Sequence, residues 1–222
     1  MSTIIRTATA MITDTHILTL MQWLSPAYPV GAFSYSHGLE YAIQAGHVTD
    51  AASFQAWLTD ILRHGTGRND AILLHAAYRG DDLDEVDALA RAFAPSAERL
   101  LETQQQGAAF CRTTAAIWGA DMPALTYPVA LGHAAARQGI PLSQTCALYL
   151  HAFASNLTSA AIRLVPLGQT EGQAIITALS PLCEDITRAA ASQTLDDLGG
   201  TTILADIGSM KHETQYTRLF RS

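Results

Sequence analysis

The sequence predicts an all-α fold, a single-domain helical bundle of about ten helices over residues 1–222. Three observations predict it. Alanine, the strongest helix former, occurs 38 times in the 222 residues. Apolar residues recur at helical spacing between Ser, Thr or Asp caps and Gly or Pro stops. Period-2 alternation is confined to a short stretch at Thr201–Leu204, and no Pro- or Ser-rich linker divides the chain.

Each element has its own signals. Asp14 and Thr15 can cap a first helix carrying Ile17, Leu18, Leu20, Met21 and Leu24, which Pro26 and Pro29 end. The loop Ser25–Ser34 follows. A second helix is expected over 36–45, with Gly46 as its stop. Asp50 or Ser53 opens a third through Phe54, Trp57, Leu58, Ile61 and Leu62, and Gly65 and Gly67 break it. Ile72, Leu73 and Ala76 mark a fourth, closed by Gly80. Asp82, Asp84, Glu85 and Asp87 crowd the first turns of the next, where they suit the helix dipole.

Ser96 with Glu98 begins a long helix to about Gly119. Pro128 fits the first turn of a helix ending near Gly139. Ser143 begins the longest apolar helix, to about Val165. Thr170 begins another, interrupted at Pro181 and resuming to about Thr194. Residues 1–13 and 209–222 are expected to be flexible until bound. Tyr28-Pro-Val30 and Tyr127-Pro-Val129 match too briefly to establish a repeat.

Composition excludes several functions. A chain this long buries roughly 70% of its unfolded surface and needs no staple. Charged residues are 15%, low against a typical ~25%, which suggests that a partner or a second copy covers some surface. The net charge of −7 argues against a nucleic-acid binder. Lys211 is the sole lysine and follows Met210, so there is neither a P-loop Gly-Lys-Ser/Thr nor a kinase lysine context. Cys111, Cys146 and Cys183 are dispersed, which suits a reducing, cytoplasmic setting. The first sixteen residues carry one positive charge and no sustained apolar run, and no stretch reads as a membrane span.

Chemistry is sparse. The eight histidines form no His-Glu-x-x-His and no i, i+4 pair, so no metal ligands are assigned. Ser36-His37-Gly38 looks like the end of a nucleophile elbow, but Ser34 stands where the motif needs Gly and no strand precedes it. Asn156-Leu-Thr158 is a glycosylation sequon inside an apolar helical pattern, read as structural. No catalytic residue is assigned. Two regions carry more than packing needs. Ser25–Glu40 holds aromatics on a Pro/Gly loop. Ser209–Ser222 has three bases and one acid, with Tyr216, Leu219 and Phe220 beside Arg218 and Arg221, the composition of an interface hot spot.

These regions resemble a known family. Ser25-Pro-Ala-Tyr-Pro-Val-Gly-Ala-Phe-Ser-Tyr-Ser-His-Gly-Leu-Glu40 is similar to the N-terminal motif of the urease accessory protein UreF family. The stretch from Tyr149 to Gln173, including Ser155-Asn-Leu-Thr-Ser-Ala-Ala-Ile-Arg-Leu-Val-Pro-Leu-Gly-Gln169, resembles the family's central signature, and Ser209–Ser222 resembles its C-terminus. Lys211 stands where many relatives have Arg, which keeps the charge but loses the fork.

The resemblance implies an all-α homodimer without catalysis of its own. It implies partners: the accessory protein UreD (UreH in some organisms), the GTPase UreG, and apo-urease, to which the assembly delivers nickel. No cofactor is held; nickel passes through the complex. It places Lys211, His212, Glu213, Tyr216, Arg218, Phe220 and Arg221 on the GTPase side. Phe33, Tyr35, Ser36, Gly38 and Glu40 would shape a loop at the dimer or partner surface. Asn156, Arg163 and Gln169 belong to the central signature. No nucleic acid or membrane is implied. Two other readings stand beside the scaffold: a hydrolase using Ser34 or Ser36 with His37, and a GTPase-activating regulator donating Arg218 or Arg221 as an arginine finger.

Overall fold

The computed structural model describes residues 11–119 and 122–222. Among them the chain is all-α, with ten α-helices, two short 3₁₀ turns and no strand. The helices are α1 Asp14–Trp23, α2 Leu39–Gln44, α3 Ala51–His64, α4 Thr66–Arg79, α5 Leu83–Ala92, α6 Ala97–Trp118, α7 Tyr127–Arg137, α8 Leu142–Leu164, α9 Gln169–Ala190 and α10 Ile203–His212. Residues 1–10, part of the N-terminal segment expected to be flexible, lie outside the described residues.

Several boundaries differ from the sequence reading, each for a local reason. Thr13, not Asp14 or Thr15, caps α1, accepting from the His16 N–H at 3.2 Å. The second helix starts at Leu39 because His37 and Gly38 take left-handed φ of 60° and 75°, which no helix continues through. Asp50 opens α3 by accepting from the Ser53 N–H at 2.8 Å. Gly65 ends α3, but Gly67 lies inside α4, where a Cβ would come within 2.7 Å of Leu62 Cα. Its role is close approach, not chain breaking.

Pro181 does not interrupt α9, which runs unbroken from Gln169 to Ala190. The proline removes one hydrogen bond, the one to the Thr177 carbonyl. Burial of Leu179, Leu182, Cys183 and Ile186 around it holds the helix together. Thr201–Leu204 is not a strand. The Thr201 N–H donates to the His64 carbonyl at 3.0 Å, and Ile203 begins α10.

α4 is the central helix, packed among α3, α5, α7, α8 and α9. Its closest neighbour is α7, and small residues make that possible. A Cβ on Gly132 would lie 2.3 Å from the Leu74 carbonyl oxygen, and Ala71, Ala76, Ala77, Ala130, Ala134 and Ala135 are all buried. The alanines are therefore packing residues as well as helix formers. Trp23 is fully buried and meets Phe110 and Trp118 edge to face, with centroids 5.4 and 5.5 Å apart. Tyr28 and Tyr127 both lean on Phe110, although one sits in a loop and the other opens α7. Among the described residues no helix is long and apolar enough to cross a membrane.

Candidate functional site

The loop from Ser25 to Glu40 and the C-terminal segment meet. α10 lies against α2, and Gly38 is the contact point. Its φ of +75° and its missing side chain are both needed: a Cβ there would sit 2.9 Å from the Ser209 Cα and N. Ser209 in turn bonds the cap residue Ser96 of α6, Oγ to Oγ at 2.6 Å. After α10 the chain turns back along the loop. The Arg221 N–H donates to the Ser34 carbonyl at 2.8 Å, and the Ser36 N–H donates to the Ser222 main-chain oxygen at 2.8 Å.

Buried carboxylates anchor this return. Glu40 accepts from the Leu219 N–H at 2.8 and 3.1 Å and from the Phe220 N–H at 3.1 Å. Glu102 accepts from the Ser222 hydroxyl at 2.5 Å and pairs with the buried Arg99. Glu98 lies 2.6 Å from His212 Nδ1, and its other oxygen accepts from Arg218 at 2.6 Å. Phe220 is buried beneath the Arg163 guanidinium, 4.5 Å from the ring centroid. Arg163 also donates to the Phe33 carbonyl at 3.3 Å, and Asn156 to the Ala32 carbonyl at 2.9 Å.

All three sequence motifs thus converge. Residues 209–222, expected to be flexible until bound, are packed in this structure: Glu40 accepts from their backbone, Glu102 from the Ser222 hydroxyl, and Arg163 covers Phe220. His212 and Phe220, expected on a partner-facing surface, are buried, so they hold the segment down. Glu213 is half-buried and accepts from the Ala97 N–H at 2.8 Å. Lys211, Arg218 and Arg221 remain exposed, and Tyr216 is fully exposed. In the loop, Tyr35, Ser36, Gly38 and Glu40 are buried and Phe33 projects outward. Tyr35 donates its hydroxyl to Gln105 at 2.8 Å, and burial raises its pKa against the pull of Arg221. Gln169 stands apart, exposed at the start of α9.

The elbow-like triplet is occupied otherwise. The Ser36 hydroxyl bonds the Ser222 main-chain oxygen. His37 faces Thr66, with Nε2 3.1 Å from its hydroxyl, and meets Phe153 edge to face. Burial, with Arg99 nearby, holds His37 well below the ordinary histidine range, so it is neutral.

Beside this contact lies a cleft of about 520 Å³ with an apolar rim, including Met21, Leu24, Phe33 and Leu148, and polar groups deeper in. Among its lining residues Tyr149 donates to Asp70 at 2.6 Å. Burial pushes the Asp70 carboxyl up to about 6. Among the described residues no group of three or more His, Cys, Asp or Glu is placed to hold a metal ion.

Sequence reasoning missed Asp70, Glu98, Arg99, Glu102 and Tyr149 as site residues. Glu98 reads as a helix-start carboxylate, and Arg99 and Glu102 carry no pattern that separates them from a solvated α6 face. Glu98 and Glu102 join the site through contacts from the returning C-terminal segment, a long-range fact.

The family model described as UreF matches residues 48–180. A urease accessory protein UreF of Ruegeria sp. is 58% identical over 214 residues, covering 95% of this chain and all of the relative. That of Cereibacter sphaeroides is 56% identical over 206 residues, covering 93% and 98%. That of Roseobacter denitrificans is 52% identical over 220 residues, covering 98% and 99%. With half or more of its residues shared with each of these relatives, the chain belongs to the UreF family of urease accessory proteins.

Proposed function

We propose that the chain serves urease maturation as a non-catalytic scaffold. In this reading a homodimer in the cytoplasm joins the UreD/UreH accessory protein and recruits the GTPase UreG, and nickel passes through the assembly to apo-urease without a resident cofactor. One observation carries the reading: the loop, the central signature and the C-terminal segment form a single built surface whose inner groups are spent on its own construction. The side chains of Lys211, Tyr216, Leu219 and Arg221 are left exposed on the outside. That mixture of cation and aromatic suits docking to a protein. Any groups along a nickel route would be polar and weakly binding, since a tight site would trap the ion.

Deleting Leu219–Ser222 tests the reading. The four residues lie outside the helices, so the truncated chain should keep its helical content. It should bind UreG far more weakly, in pull-down or by calorimetry. Unchanged UreG binding would overturn the assignment.

A second reading, regulation of GTP hydrolysis by a C-terminal arginine, is favoured by the exposure of Arg221. Arg218 is already engaged by Glu98. Arg221→Lys separates the two: a finger loses its planar fork and its stimulation, whereas a docking charge tolerates lysine.

A further inference from the structure

His212 is fully buried, and its ring lies between two carboxylates. Nδ1 is 2.6 Å from Glu98 Oε2 and Nε2 is 3.4 Å from Glu40 Oε2. A neutral imidazole has one N–H and one lone pair. It can donate to one of these oxygens but must then turn a lone pair on the other, which repels. Only the imidazolium donates to both.

The two carboxylates are the ones that seat the C-terminal segment. Glu40 holds the Leu219 and Phe220 N–H groups, and Glu98 holds Arg218. The charged groups facing the ring are therefore Glu40 from α2, Glu98 from α6 and Arg218 from the segment. Lys211, next to it on α10, points to solvent, and Glu213 turns to the N-terminus of α6. With a neutral ring the cluster of Glu40, Glu98 and Arg218 carries one net negative charge. Glu40 is then, among the described residues, without a cationic partner. With the imidazolium the cluster balances. Among the described residues neither this trio nor any other group of three or more His, Cys, Asp or Glu is placed to hold a metal ion.

We propose that His212 is a proton-operated latch for the C-terminal segment: doubly protonated it seats residues 213–222 against the loop, and on losing a proton it releases Leu219–Ser222. The sign follows from the donor count. Proton binding favours the seated form, so seating strengthens as pH falls and weakens as pH rises. One proton linked to seating changes that equilibrium by at most about tenfold per pH unit. The latch is a property of the chain alone, whichever partner the segment meets.

Amide hydrogen exchange by NMR on the full chain tests it, with rates corrected for the intrinsic pH dependence of exchange. Between pH 6 and 9 the protection of the Ser36, Leu219 and Phe220 amides should fall about tenfold or more, while core amides of α4 and α7 hold. In His212→Gln the amide side chain supplies no charge and serves one carboxylate, so protection should be low and flat across pH. In Glu98→Gln the new amide can donate to Nδ1, which frees Nε2–H for Glu40 without a charge. The segment should then stay seated at pH 9. Protection in the unaltered chain that does not change with pH would overturn the latch. So would a pH profile in Glu98→Gln that matches the unaltered chain.

Discussion

Glu40 does at the residue scale what a helix cap does at the element scale: it satisfies backbone N–H groups that have no helical partner. Glu40→Ala should therefore release the segment and cost about 1–3 kcal/mol, the range for stranding buried donors, read by urea denaturation. Gly38 and Gly31 make a controlled pair. Both have positive φ, +75° and +74°, but only Gly38 faces a backbone within 3 Å. Gly31→Ala should cost about 1–2 kcal/mol for the left-handed residue alone. Gly38→Ala should cost clearly more and should loosen α10, seen as lost exchange protection near Ser209. Asp70 supplies a pH test. Its carboxyl is raised from 3.8 to about 6, so the charged form is disfavoured in the fold. The fold is then favoured at this site below pH 4, and that advantage is lost as pH rises through about 6. The full difference is about 3 kcal/mol. Asp70→Asn should stabilise the protein at pH 8 relative to the unaltered chain and leave it unchanged or weaker near pH 4. A stability difference independent of pH would refute the assignment.

Among the elements, α9 carries the sharpest test. Pro181 removes a hydrogen bond to the Thr177 carbonyl from the middle of a 22-residue helix. Pro181→Ala should restore it and raise stability by about 1–2 kcal/mol after the gain in unfolded-chain entropy is subtracted, read as a higher Tm. A lower Tm would mean that the proline shapes a bend the packing requires. α9 also shows what sequence can and cannot tell. Propensity alone reads Pro181 as a break; its buried neighbours Leu179, Leu182, Cys183 and Ile186, before and after it, override that. The cap at Ser96, and that at Asp50 as one of two candidates, were legible because a single side chain satisfies an adjacent backbone, whereas Asp82 was read as one of several first-turn carboxylates and proves to be the cap. The start of α2 was not, because the left-handed turn at His37 and Gly38 is imposed by Ser209, which is 171 positions away from Gly38. The candidate site divides the same way. Its outer residues stood out by composition, whereas Glu98 and Glu102 join it only through contacts from the far end of the chain.

For the whole molecule, the low charge content finds its counterpart in the surface. Leu18, Met21 and Phe33 are each more than 60% exposed beside the cleft, and Ile203, Leu204 and Met210 are exposed on α10. Such exposure in a chain with 15% charged residues fits a protein that works in an assembly. We propose a scaffold whose seated C-terminal segment recruits the GTPase. Size-exclusion chromatography with light scattering tests it most directly. The chain is mixed with its UreD-type partner, then with UreG, GTP and nickel. Stoichiometric complexes with two copies of this chain are expected, with loss of the GTPase alone when Leu219–Ser222 are removed. A monomer that binds neither partner would contradict it.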